Sequence, residues 1–291
     1  MYHIRYPNIA ELLVPKILPR SSLTLLSVHP PPLSLNLPLS ALVPPPAPLQ
    51  LGATPISSRG PPQLRQFRRV CSEIVPGELY VSGSTVAEDW SLLQKHGITH
   101  VINLACTSSK SPFPNRLEYL CIALPDSSTA DIEGYLYLCI DFIQTVLTQS
   151  SSNRVLVHCM EGVSRSCAVA IAYLMWKNQL DFSKANELVV AKRPICDPNF
   201  GFISQLFQFH SRLLRTSPSV VWRLSPQLMV PVRCTTSEDP QFVYIRSVND
   251  TFSIQVGSKV SDPEKAIQFA TEWIERIARI ENFEPHIVEA Q

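Results

Sequence analysis

Residues 154–176 read Arg154-Val155-Leu156-Val157-His158-Cys159-Met160-Glu161-Gly162-Val163-Ser164-Arg165-Ser166-Cys167-Ala168-Val169-Ala170-Ile171-Ala172-Tyr173-Leu174-Met175-Trp176. The opening residues are a short branched apolar run that fits a buried strand. The last ten are a continuous apolar stretch, long enough for a buried helix. His158 to Ser166 therefore form a loop between a strand end and a helix N-terminus. Backbone N–H groups there lack partners and the macrodipole is positive, which makes a ready anion site. A bare Cys-x5-Arg pair arises by chance in about half of chains of this composition. Requiring the histidine, the glycine and the serine as well reduces that to roughly one in tens of thousands. A buried structural cysteine beside an unrelated arginine is thus the weaker reading.

The residue types suit hydrolysis of a phosphate ester. Cys159, beside a helix N-terminus and an arginine, is the expected thiolate nucleophile, attacking phosphorus to give a phosphocysteine. Arg165 offers a planar fork that holds two phosphate oxygens into the transition state. Gly162 lets the backbone turn inward beside the phosphate. Met160, Glu161, Gly162, Val163, Ser164 and Arg165 together make the phosphate-binding loop. Ser166, at the helix start, is expected to cap the helix and to donate a hydrogen bond to the sulfur as it leaves. His158 is expected to support the loop rather than to act as a base.

A thiolate cannot protonate the leaving oxygen, so a general acid must reach the loop from elsewhere. Asp126 follows the apolar strand Tyr119 to Leu124, in a loop with Pro125, Ser127 and Ser128. Asp131 competes, but it is placed to cap the next helix, which would engage its oxygens. Asp126 is therefore the expected acid, and in a second step the base that activates water. The chemistry needs no cofactor and no metal, and the sequence shows no acidic or histidine cluster to hold one.

The 291 residues carry a net charge of +1, which gives no global field for nucleic acid or a membrane surface. No apolar run reaches the ~18 residues that a membrane-spanning helix needs. The eight cysteines show no Cys-x-x-Cys pairing, and several sit inside apolar patterns. That suits a reduced compartment, the cytoplasm or nucleus.

Three segments differ in composition. Residues 1–66 hold 14 of the 26 prolines and a single acid, Glu11. Proline at that density predicts a disordered or polyproline-type extension. An organelle import peptide and a ligand for SH3- or WW-type domains stay open for it. Residues 70–215 alternate strand and helix signals: strands at 78–81, 99–104 and 119–124, helices capped by Ser84 and Asp131, a helix starting at Ser183, and a last one over 199–214. That alternation predicts a mostly parallel central sheet flanked by helices, an α/β architecture. Residues 216–291 read as a small α+β unit, either a separate module or an annex on the main domain. Strands at 241–247 and 251–256 flank an Asn249-Asp250 turn, followed by an amphipathic helix over 263–281.

The segment from about 72 to 214 resembles the dual-specificity protein phosphatases, a cysteine-dependent class that includes MAP kinase phosphatases. The resemblance rests on Ile74 to Gly83, Gly97 to Leu104, Asp126, His158 to Ser166, Ala172 to Met175, and Arg193-Pro194 through Pro198-Asn199-Phe200-Gly201-Phe202. It implies the cysteine-phosphatase fold, with Cys159 as nucleophile, Arg165 as clamp and Asp126 as acid. It further implies a shallow pocket that admits phosphotyrosine and phosphoserine/threonine. Asp197 to Phe202, Trp222-Arg223-Leu224-Ser225-Pro226 and Phe242 to Ala270 resemble the plant-type MAP kinase phosphatases, which carry a gelsolin-like region. The expected partner is a phosphorylated protein, a MAP kinase among the candidates. A phosphoinositide or RNA 5′-phosphatase on the same scaffold is disfavoured, because the loop carries Glu161 and no lysine to meet extra phosphates. A phosphoprotein-binding scaffold is the reading from another class.

Overall fold

The described residues, in a computed structural model of the protein, are 61–291 apart from 218, 225–229, 236–238, 249 and 290–291. In chain order the elements begin α1 (Pro61–Phe67), β1 (Ser72–Val75), β2 (Leu79–Gly83), α2 (Ser84–Ala87), α3 (Trp90–Lys95), β3 (His100–Asn103) and β4 (Glu118–Cys121). Then follow α4 (Glu133–Gln149), β5 (Val155–Cys159), α5 (Arg165–Asn178), α6 (Phe182–Lys192) and α7 (Phe200–Leu213). The C-terminal part contains β6 (Val220–Leu224), β7 (Val232–Cys234), β8 (Val243–Val248), β9 (Thr251–Val256), α8 (Pro263–Glu281) and β10 (His286–Glu289).

The first sheet has the order β1-β2-β5-β3-β4. It is parallel except for the antiparallel edge pair β1–β2. β5 is central and buried along its whole length, which is why Val155 to Val157 read as an apolar run without alternation. Its register with β2 ends on Gly83 opposite Cys159, and with β3 on Asn103 opposite His158. The thiol therefore emerges at the carboxyl end of the central strand, where open α/β sheets bind ligands. α5 is buried from Arg165 to Met175, so the apolar stretch after the loop is a core helix.

Several local expectations are corrected. The single helix expected to start at Ser84 is two short helices. The Asp89 carboxylate accepts from Ser91 N and Leu92 N and starts α3 afresh, and Ser84 makes no side-chain cap. Helix α6, expected to start at Ser183, starts at Phe182 and is capped by Asp181, whose carboxylate accepts from Lys184 N. Ser166 does not cap α5: it is fully buried in the first turn, and Ser164 holds the N-cap position. The strand expected to reach Leu124 ends at Cys121. Residues 61–66, expected in the disordered extension, lie in α1, whose first residue is a proline, well suited to a helix start. Residues 1–60, with the import-peptide and SH3/WW readings, lie outside the described residues, as does Asn249 of the expected turn.

The second sheet, β10-β9-β8-β6-β7, is antiparallel except for β9–β10. It backs onto α8, which buries Trp273, Ile274 and Ile277. Trp222 and Trp273 are among the largest fully buried side chains. Each removes roughly 200 Å² from water, about 5 kcal/mol as an upper figure. The two sheets share a continuous core, so the segment 216–291 is an annex. Polar ties reinforce it. Arg212 donates to both oxygens of Glu281 at 2.7 and 3.0 Å, and Tyr137 Oη donates to Glu281 Oε1 at 2.5 Å. Arg276 and Arg279 meet Asp141 of α4, and Trp176 Nε1 donates to Ile280 O.

Candidate active site

The loop between β5 and α5 is shaped from behind. Ser84 N donates to Met160 O at 2.9 Å. Arg193 Nη2 donates to Glu161 O at 3.1 Å, and its Nε donates to Gly162 O at 2.5 Å. Asp197 N donates to Val163 O at 2.9 Å. Four successive carbonyls thus point outward. In a trans peptide the following N–H points the opposite way, so the amides of Glu161 to Ser164 face inward. None of these amides donates to a carbonyl among the described residues. With the N-terminus of α5, they form a cradle for a tetrahedral anion.

Gly162 sits at φ 69°, in the left-handed region. A Cβ there would also meet Arg193 Nη2 and the Ser82 carbonyl, so both backbone and space demand glycine. Arg193 is the residue that sequence reading passed over. It was visible only as part of Arg193-Pro194, yet its side chain is fully buried and also donates to Val70 O and Ser72 Oγ. It fixes the loop against β1 and the segment before it.

Cys159 lies at the base of the cradle, 1% exposed. Its Sγ is 3.3 Å from Ser166 Oγ, so Ser166 is placed to hydrogen-bond the sulfur. Arg165 is almost buried; its Nη1 donates to Leu124 O at 2.9 Å and Leu104 O at 3.3 Å. These bonds hold the guanidinium at the carboxyl end of the sheet. Burial pushes the Cys71 thiol up to about 12 and the Cys167 thiol well above its usual range, which keeps both protonated. All eight cysteines are free thiols.

Asp126 reaches the loop. Its Oδ1 accepts from Ser164 Oγ at 2.7 Å and from Asn199 Nδ2 at 2.9 Å, and its Oδ2 lies 3.5 Å from Arg165 Nε. Asn199, the N-cap of α7, is a second residue that sequence reading did not assign to the site. Asp131 points elsewhere: its Oδ1 accepts from Glu133 N and its Oδ2 from Arg233 N. Met160 and Val163 are half-buried, and Glu161 is exposed.

His158 is fully buried, with Nδ1 3.2 Å from Cys159 O. A carbonyl only accepts, so Nδ1 carries the proton. Burial lowers the imidazole from its ordinary 6.5 to about 4, and it stays neutral in the fold. The unfolded chain binds this proton below 6.5 and the folded chain does not until about 4. Stability is therefore complete above pH 6.5 and lost as pH falls through that window, by about 3 kcal/mol. The expected result is an acid-side drop in melting temperature between pH 6.5 and 4 that is shallower in His158→Asn. Identical slopes in the two proteins would contradict it.

A parallel sheet that delivers a thiol to the N-terminus of a buried helix, with an arginine in the first turn and a carboxylate above, defines the cysteine-dependent phosphatase architecture. Residues 79–212 match the family model of the dual specificity phosphatase catalytic domain, and this segment belongs to that family. The chain is 38% identical over 165 residues to protein-tyrosine-phosphatase MKP1 of Arabidopsis thaliana, covering 55% of this chain and 21% of that protein. It is 34% identical over 229 residues to dual specificity protein phosphatase 4 of Homo sapiens, covering 75% of this chain and 53% of that protein. Among solved structures, DUSP15 is similar at 32% identity with a TM-score of 0.45, covering 48% of this chain and 86% of that one. The chain thus spans about a fifth of the first relative's length and about half of the second's.

Proposed function

We propose that the protein is a dual-specificity protein phosphatase working through a phosphocysteine, with a MAP kinase as its substrate. The observation that carries this is the inward-facing amide cradle with Cys159 Sγ at its base and Asp126 tied to its rim. In the first step the Cys159 thiolate attacks phosphorus. The bond from phosphorus to the substrate oxygen breaks, and that oxygen takes a proton from Asp126. In the second step the Asp126 carboxylate takes a proton from water as the water oxygen attacks phosphorus. The sulfur–phosphorus bond breaks, inorganic phosphate leaves, and Ser166 hydrogen-bonds the departing thiolate. Arg165 and the amides hold the equatorial oxygens throughout. His158 is a loop support.

Glu161 stands exposed on the loop and disfavours polyanionic substrates such as phosphoinositides or RNA 5′ ends. The resemblance to MAP kinase phosphatases supports the kinase as substrate. Eight free thiols support a reduced compartment, cytoplasmic or nuclear. The mixed five-stranded sheet with one long helix supports a gelsolin-like reading of residues 216–291, to which no ligand is assigned.

The test is phosphate release from activation-loop peptides bearing either phosphotyrosine or phosphothreonine. Release from both is expected. Release from phosphoinositides or 5′-phosphorylated RNA with none from either peptide would overturn the reading.

A further inference from the structure

We infer that Arg233, on β7 of the C-terminal annex, is a positioning residue for the loop that carries the general acid. This deepens the phosphatase reading and rests on it.

The acid loop runs from Asp126 to the start of α4, and it is held at both ends. At the near end Asp126 is bonded to Ser164 and Asn199. Along the way Gly201 of α7 approaches the Ser128 carbonyl so closely that a Cβ would collide with it. At the far end Gln205 of α7 donates to Ala130 O at 2.8 Å and accepts from Ile132 N and Glu133 N.

The remaining anchor comes from the annex. Arg233 N donates to Asp131 Oδ2 at 2.9 Å. Its guanidinium faces Glu133 in a fork, with Nε 3.0 Å from Oε2 and Nη2 3.2 Å from Oε1. Its Nη1 donates to Gln208 Oε1 at 2.7 Å. One arginine therefore joins the two acids that flank Ile132, the N-cap of α4, to the helix whose N-cap holds Asp126. Glu133 is 1% exposed, and burial raises its carboxyl to about 7. Arg233 offsets that cost more than Arg212, the other cation acting on Glu133, so removing it leaves a buried acid without its main partner. Close packing makes the same point. A Cβ on Gly134 would lie 2.7 Å from Pro231 O and 3.0 Å from Val230 Cβ. The annex and the first turn of α4 meet closely through the Pro231 carbonyl and the Val230 side chain, with no slack at the end of the acid loop.

A displaced acid loop has a kinetic signature that general destabilisation lacks. Protonation of the leaving oxygen matters for phenyl phosphate and hardly at all for dinitrophenyl phosphate, whose leaving group is stable as an anion. In Arg233→Met, kcat/KM on phenyl phosphate, which reports only the steps through formation of the phosphocysteine, is expected to fall about tenfold or more, as ångström-scale displacement of a catalytic group does. On dinitrophenyl phosphate it should stay within about twofold. Arg233→Lys keeps a cation opposite Glu133 and serves if the methionine variant does not fold; its rate ratio should shift in the same direction by less. Arg276→Met cuts a tie between annex and α4 far from the loop; it should lower the melting temperature and leave the ratio unchanged. Equal losses on both substrates in the Arg233 variants, or the same ratio shift in Arg276→Met, would overturn the inference while leaving the phosphatase reading intact. Absence of Cys159-dependent turnover in the unaltered protein would overturn both.

Discussion

Cys159→Ser should lose aryl phosphate turnover by a factor on the order of 10⁴ or more, as loss of a catalytic nucleophile does, while still binding an inorganic oxyanion. The reason lies in what surrounds the sulfur. Sulfur is intrinsically the stronger nucleophile; a serine hydroxyl needs a base beside it. Among the described residues none is poised there. His158 turns its protonated Nδ1 toward the Cys159 carbonyl, and burial holds its imidazole near 4. Asp126 is engaged by Ser164 and Asn199 at the rim. The inward amides and Arg165 do not depend on the sulfur, so tungstate or phosphate should still raise the melting temperature of the variant. Comparable turnover by Cys159→Ser and the unaltered protein would remove the mechanism altogether.

Asp126→Ala should lower kcat by about 10²- to 10⁴-fold on substrates with poor leaving groups, the usual contribution of a general acid. KM should change little, because the phosphate is held by the loop and Arg165. The variant is therefore a substrate trap. Asp131→Ala is the comparison that decides the assignment. Its carboxylate is bonded to the amides of Glu133 and Arg233, and burial raises its pKa. It acts on the loop only through that anchor, so its effect on kcat should be smaller. A larger effect from Asp131→Ala would transfer the acid role away from Asp126.

The placing of Cys159, Arg165 and the loop amides around one point was legible in the sequence because one continuous turn supplies all three. A strand end, a glycine and a helix start follow one another over nine residues, and each announces itself by local chemistry. That Asp126 rather than Asp131 would reach the loop was legible for a related reason: it follows a strand, while Asp131 stands beside a helix start, where its carboxylate accepts from Glu133 N. Arg193 was not legible. Its value lies in a side chain that crosses 31 residues back to the Gly162 carbonyl, and no local pattern marks an arginine for complete burial. Arg233 escaped notice for the same reason, being 100 residues from Glu133 on a three-residue strand too short to show alternation. The edge strands β1 and β10, of four residues each, are near the lower limit of what periodicity can reveal. The break between α2 and α3 could have been read, since Asp89 followed by Ser91 offers a cap in mid-pattern.

The most direct test of the account uses the two-step character of the reaction. With dinitrophenyl phosphate, the first step proceeds without an acid, whereas hydrolysis of the phosphocysteine still needs Asp126 to activate water. In Asp126→Ala the intermediate should therefore accumulate. Rapid denaturation during turnover, followed by mass spectrometry of the peptides, should find one phosphoryl group on the peptide that contains Cys159. Phosphate on a different residue, or turnover with no phosphorylated peptide at all, would contradict the account.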